Sequence, residues 1–146
     1  MPKIKLLLFF IVFAALIIGA TATGTASEYD WYKSLNKSSL NPPGYIFGIV
    51  WPFLYLLMSI SAYRSYDQIK TLFFIQLFFN TLWSWLFFSF HLTLISLIDI
   101  ILLLIINIKI LSILFKVDRL GFIIYTPYFI WLFFALYLNF YIVLYN

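Results

Sequence analysis

Trp51 and Tyr55 stand four residues apart behind the doublet Pro42-Pro43, in an otherwise apolar run, "NPPGYIFGIVWPFLYLLM" (residues 41–58). That spacing puts both rings on one face of a helix. Rings so placed either anchor at a lipid–water interface or line something. The pattern recurs along the chain. Gln76, Asn80, Trp83 and Ser84 share one helical face, Ser96, Asp99 and Asn107 fall roughly on another, and Tyr128, Trp131, Ala135 and Asn139 form a further one. Polar groups inside apolar helices are expected to face other helices or a cavity, because lipid offers them no partner. Four helices therefore aim a polar or aromatic stripe at a common interior.

The simplest use of Gln76 and Asn139 is bonding from helix to helix, worth about 0.6 kcal/mol each. The richer use is recognition. Rings at Trp51 and Tyr55 suit stacking on a flat aromatic ligand, and Asn80 would supply a directional hydrogen bond in a dry pocket. Trp83, Trp85 and Trp131 are also candidates for interface anchors, but Trp83 shares the Asn80 face, which favours an inward ring. Asp99 lies some seven residues into its helix, within "LISLIDIILLLI", too deep for free solvation. It either carries its proton or bonds a Trp or Tyr of a neighbouring helix, and a structural lock is the favoured role over ligand contact. His91, in the short turn of "FFSFHLTL", is the only histidine and has no second His or Met suitably placed. A turn residue is expected there rather than a haem ligand. The chain has no cysteine, which removes disulfides, thiolate zinc sites and cysteine nucleophiles. No hydrolytic triad, phosphate loop or metal cage is legible, so no metal and no required cofactor are expected.

Composition says what must position these residues. Of 146 residues, 65% are hydrophobic and 10% charged, against about 25% charged in soluble domains. The formal charge of +4 comes from cations scattered between apolar runs, which form no basic face for nucleic acid. This is the composition of an integral membrane protein. A helix needs about 20 apolar residues to cross the hydrocarbon, and five stretches qualify: 4–22, 44–63, 70–90, 92–113 and 122–144. The expected architecture is an all-α membrane protein, a single domain over residues 1–146, with a five-helix bundle and one long polar loop (23–43) between the first two helices. Pro42 and Pro43 close that loop and set where the second helix starts. The first run has a rival reading as a cleavable signal peptide ending near Ala20-Thr21-Ala22, which would leave four helices.

With five spans, Lys3, Lys5, Arg64, Lys70, Lys116 and Arg119 share one side, while Lys33 and Lys37 lie on the other with Glu28 and Asp30. The excess of cations places the N-terminus in the cytoplasm and the long loop outside. Lys109 is expected to snorkel to the cytoplasmic surface. Richness in Ile, Phe, Tyr, Asn and Lys, with no Arg/Ser-rich transit peptide, points to a bacterial cell membrane.

"WYKSLNKSSLNPPGYIFGIVWPFLY" (31–55), "QLFFNTLWSWLFF" (76–88), "LIDIILL" (97–103) and "PYFIWLFFALYLN" (127–139) resemble, in order and spacing, the tryptophan-rich sensory protein and translocator protein family (TspO/MBR, the peripheral-type benzodiazepine receptors). The resemblance runs from residue 31 to the C-terminus. It implies a five-helix bundle, often a homodimer, with one pocket roofed by the long first loop. It further implies ligands of the porphyrin class (protoporphyrin IX and haem precursors), with sterols and synthetic isoquinoline carboxamides or benzodiazepines as others. Carried over by position, the pocket would use Tyr32, Trp51, Tyr55, Asn80, Trp83, Trp131 and Ala135. The two tryptophans that the family links to porphyrin breakdown would be Trp51 and Trp131.

The implied function is a membrane receptor or carrier for porphyrins, in tetrapyrrole regulation or stress sensing. The alternatives are a light- and oxygen-dependent porphyrin-degrading enzyme and a sterol-binding or scaffold protein. Porphyrin propionates would lie near Lys33 or Lys37. The chain departs from the family at Ser38, where a proline usually follows the lysine, and a looser loop is expected from it. The sterol-recognition pattern near the C-terminus has Leu138 and Tyr141 but no terminal cation, which makes sterol the weaker ligand.

Overall fold

The computed structural model describes residues 2–24 and 26–146, without the side chains of Pro2 and residues 26–28, so the expected placement of Glu28 lies outside the described part. Among the described residues every regular element is a helix: α1 (Pro2–Thr21), α2 (Ala26–Ser34), α3 (Gly44–Arg64), α4 (Tyr66–Ser84), α5 (Thr93–Val117) and α6 (Arg119–Tyr145). A π-helical turn, Trp85–Ser89, continues α4. Helices α1, α3, α4 with its π turn, α5 and α6 are long and apolar enough to cross a membrane. The chain is a multi-pass membrane protein.

The connections are shorter than the hydropathy pattern indicates. Ser65 alone joins α3 to α4, and Asp118 alone joins α5 to α6. The carbonyl of Ser65 accepts from the amides of Gln68 and Ile69, and that of Asp118 from Phe122, so each turn starts the next helix at once. Lys70 and Arg119, expected in the connections, sit instead inside the starts of α4 and α6. The 23–43 stretch, read as a loop, contains α2, "ASEYDWYKS". It lacks a continuous apolar run, and tertiary contacts through Trp31 and Tyr32 hold it.

Pro43 precedes α3 in an extended conformation (φ −56°, ψ 148°), its φ fixed by the ring. Pro52 lies inside the same helix, so the Gly48 carbonyl four residues earlier loses its helical donor. Helix α5 packs against α6 and α4, α6 against α3, and α1 against both α3 and α4. The segment with the signal-peptide rival reading is thus a wall of the bundle, with Leu8 and Val12 buried at 1% and 3% exposure. At the end bearing the Ser65 and Asp118 turns, Arg64 donates twice to Asp118 (2.8 and 2.9 Å) and Ser61 Oγ donates to the Gly121 carbonyl (2.8 Å). The Arg64 guanidinium holds the Asp118 carboxyl down to about 2, with the Gly121 amide and Ser65 hydroxyl adding to it.

Candidate ligand-binding cavity

The other half of the bundle, beneath α2, encloses a cavity of about 960 Å³. Pockets that hold drug-sized or cofactor-sized molecules span about 300–1,000 Å³, so this one is at the large end. Helix α3 supplies Phe47, Trp51 and Tyr55 to the wall, α4 supplies Asn80, Trp83 and Ser84, and α6 supplies Ala135, Leu138, Asn139 and Ile142. The π turn adds Phe87 and Phe88, α1 adds its last turns from Leu16, and Tyr29, Tyr32 and Asn41 form the roof. No charged side chain lines it among the described residues.

Of the residues singled out from the sequence, Tyr32, Trp51, Tyr55, Asn80, Trp83, Ala135 and Asn139 meet at this cavity. Trp131 does not. Its ring stands behind Trp51, edge to face at 6.3 Å, and also packs on Phe47. On α6 the inward face passes through Tyr128, Leu132, Ala135 and Asn139, all buried, which turns Trp131 towards α3. Its indole N–H has no hydrogen-bond partner. Pro42 and Pro43 stay outside the lining and deliver Gly44 to it.

Hydrogen bonding divides the polar stripe into layers. Tyr55 Oη donates to Asn80 Oδ1 (2.7 Å), Asn80 Nδ2 donates to Tyr128 Oη, and Tyr128 Oη donates to Gln76 Oε1 (2.7 Å). Below them Asn107 donates to Gln76 (3.4 Å) and accepts from Tyr125. One chain of side chains thus ties α3, α4, α5 and α6 beneath the cavity floor. A second cluster centres on Asn139, which accepts from Trp83 Nε1 and Ser96 Oγ (3.0 Å each) and donates to the Thr93 carbonyl (3.0 Å). Asn80 thus gives one lone pair and one N–H to two phenols, which leaves its second N–H for the directional bond expected towards a ligand. Asp99 is buried at 4% exposure, lines no part of the cavity, and neither carboxylate oxygen has a partner. The expected Trp or Tyr bond to it is absent.

The roof is held at both edges. Trp31 stacks on His91 (centroids 3.9 Å apart, 10° between planes), and Tyr32 packs on Phe87 and Phe88. His91 adopts φ 55° in the turn after the π helix, a left-handed conformation uncommon outside glycine. At the opposite edge Ser38 Oγ bonds Tyr137 Oη (2.8 Å), while Asn36 and Asn146 exchange hydrogen bonds (2.9 and 3.1 Å). Ser38 therefore pins the loop, against the expectation that it loosens it. Its small hydroxyl reaches α6 where a proline ring has no donor. Lys37 points its ammonium at the Tyr32, Lys33 and Leu35 carbonyls (2.7–3.3 Å) and covers the Tyr32 ring; burial lowers its pKa. Lys33 covers Tyr29. Burial raises the Tyr32 hydroxyl, and its bond to Asn41 only partly offsets this.

The sequence pattern missed Phe87 and Phe88, since a π turn breaks the 3.6-residue period. It also missed Leu138 and Ile142, although both continue the Ala135–Asn139 face at helical spacing. The TspO/MBR family model matches residues 7–145. The chain is similar to the tryptophan-rich protein TspO of Archaeoglobus fulgidus (34% identical, covering 90% of this chain and 95% of the relative). It is also similar to the tryptophan-rich sensory protein of Cereibacter sphaeroides (32%; 90% and 87%) and to protein CrtK of Rhodobacter capsulatus (32%; 93% and 91%). An aromatic cavity under a pinned roof in a five-span bundle and a family match over nearly the whole length agree: this chain belongs to the TspO/MBR family.

Proposed function

We propose that the protein is a membrane receptor or carrier for a flat hydrophobic tetrapyrrole of the porphyrin class. The observation that carries this reading is the uncharged cavity of about 960 Å³ walled by Trp51, Trp83, Phe87 and Tyr32. Tyr32 with Asn41, Tyr55 with Asn80 and Trp83 with Asn139 already hydrogen-bond one another, so affinity comes chiefly from ring stacking, about 0.5–1.5 kcal/mol per pair beyond area burial, and from apolar burial. A sterol or an isoquinoline carboxamide would compete for the same walls. The ion-pair end, with Arg64, Lys70 and Lys116, faces the cytoplasm of a bacterial cell, and α2 faces outward.

The test is a titration of the purified protein with protoporphyrin IX in detergent, in the dark, following tryptophan fluorescence. Saturable quenching that is lost in Trp51→Ala/Trp83→Ala is expected. Quenching that never saturates, or is equal in the variant, would mean the porphyrin merely partitions into the micelle. The contact of Trp51 with Trp131 favours a second reading, light- and oxygen-dependent porphyrin degradation through a tryptophan radical. Illuminated wild type would then generate a product spectrum that Trp51→Phe/Trp131→Phe does not; equal rates in both defeat it.

A further inference from the structure

We infer that the cavity exchanges its ligand sideways with the leaflet on the α2 side, through a cleft between α1 and α3 whose sill is Gly44 and Gly48. The inference extends the binding reading above from what is held to how it arrives.

Helix α1 leans across the bundle. Near its start it packs on α3, where Phe9 meets Tyr63 at 5.7 Å and Leu8 and Val12 are buried. Near its end it is tied to α4 and the π turn instead. Trp85 Nε1 donates to the Ile18 carbonyl (3.2 Å), Ser89 Oγ donates to the Ala22 carbonyl (2.9 Å), and Gly19 lies against Ser84. The start of α1 also pairs Lys5 with Asp67 of α4 (3.7 Å), so α1 keeps to α4 along its length and parts from α3 towards the top, where a gap to α3 opens. The exposure of the cavity wall follows this gap. Lining residues from α4, the π turn and α6 are buried or half-buried. The exposed ones come from α1 and the turn after it (Ile17, Ala20, Thr23), from α3 (Gly44, Tyr45, Gly48, Pro52) and, at the roof, Tyr29.

The sill itself is bare. A Cβ at Gly44 or Gly48 would meet no atom within 4 Å, so these glycines are not there for helix packing. Pro52 removes the helical donor of the Gly48 carbonyl, and bordering a cavity that can admit a polar partner is one of the ways such an acceptor is tolerated at membrane depth. The route through the roof is barred by the Ser38–Tyr137 and Asn36–Asn146 bonds on one side and the Trp31–His91 stack on the other. With no charge inside the cavity, a dicarboxylate porphyrin keeps its acid edge in the cleft, near the headgroups, because an unpaired buried carboxylate is prohibitive.

The experiment uses protein reconstituted in vesicles and protoporphyrin IX supplied from donor vesicles, with exchange followed by stopped-flow tryptophan fluorescence. Gly48→Leu, which has open space for its side chain, should slow both uptake and release at least tenfold; loss of a mere contact would speed release. Ser38→Ala/Asn146→Ala, which removes the side chains that pin the roof, should leave both rates as in wild type. Rates unchanged by Gly48→Leu and accelerated by the roof variant would overturn the inference.

Failure of porphyrin to bind at all would defeat the binding reading alone, so a second readout is independent of it. The chain has no cysteine, and Phe88→Cys places a single thiol in the cavity wall. A membrane-dissolved pyrenyl maleimide should label it at least tenfold faster than a sulfonated, water-confined maleimide, and Gly48→Leu should abolish that preference. Equal labelling by the two reagents, or no effect of Gly48→Leu, would place the opening elsewhere.

Discussion

The two halves of the bundle are built from the same helices and packed on different terms. In the half bearing the Ser65 and Asp118 turns, polar groups close on one another: Tyr125, Asn107, Gln76 and Tyr128 form a buried chain, and Arg64 clamps Asp118. In the half beneath α2, rings prop one another around empty space: Trp51 edge-on against Tyr55 and Trp131, Trp83 stacked on Phe87 and edge-on to Phe88. Hydrogen bonds inside a low-dielectric bundle are directional and costly to leave unmet, so the first half admits one arrangement. Ring contacts are broad in geometry and leave space for another ring. The contrast assigns rigidity to one half and binding to the other.

Breaking the rigid half should cost stability first. Asn107→Leu, nearly isosteric, strands the Tyr125 hydroxyl and removes a partner of Gln76; at about 1–3 kcal/mol per unmet buried group it should give the largest fall in melting temperature in detergent. Porphyrin affinity of the folded fraction should change less than threefold. A large affinity loss with an intact melting temperature would erase the division between the halves. Gly121→Ala comes next. A Cβ there would sit 2.5 Å from Asp118 Oδ2, and relieving that overlap is expected to cost about 1–3 kcal/mol, again read by melting.

In the cavity half the order of effects should reverse. Trp51→Ala should weaken protoporphyrin IX about tenfold, a loss of about 1.4 kcal/mol, while lowering the melting temperature less than Asn107→Leu does. A variant that melts earlier than Asn107→Leu would make Trp51 part of the scaffold. The smallest effect is electrostatic. Since the folded protein holds the Asp118 carboxyl at about 2, below its ordinary value of 3.8, the Arg64 pair stabilises fully above pH 4 and is lost as pH falls through about 2. Melting curves over that window should flatten in Asp118→Asn. An unchanged acid slope would show that the pair contributes nothing measurable, as exposed pairs often do.

Much of this was legible beforehand, for identifiable reasons. Five apolar runs of spanning length can only be helices in lipid, because every backbone group needs an internal partner. Gln76, Asn80 and Asn139 announced an interior by their cost in hydrocarbon, and the Trp51–Tyr55 spacing marked one wall. The helix α2 was not legible, since its nine residues earn their structure from Trp31 on His91 and Tyr32 on Phe88. Nor was the tether at Ser38, whose partner Tyr137 lies 99 residues away in sequence.

The sequence by itself determined the number of spans, the turn positions to within a few residues, and the family, because hydropathy, proline and motif spacing are local properties. Tertiary structure alone decided that Trp51 lines the cavity while Trp131 stands behind it, that Asn80 bonds Tyr55 and Tyr128, and that α1 leans away from α3. The physical reason is the solvent. Helices apolar on nearly every face show little contrast between inside and outside, so their rotation and tilt are set by what each side chain meets on its neighbours, and that exists only once the bundle has formed.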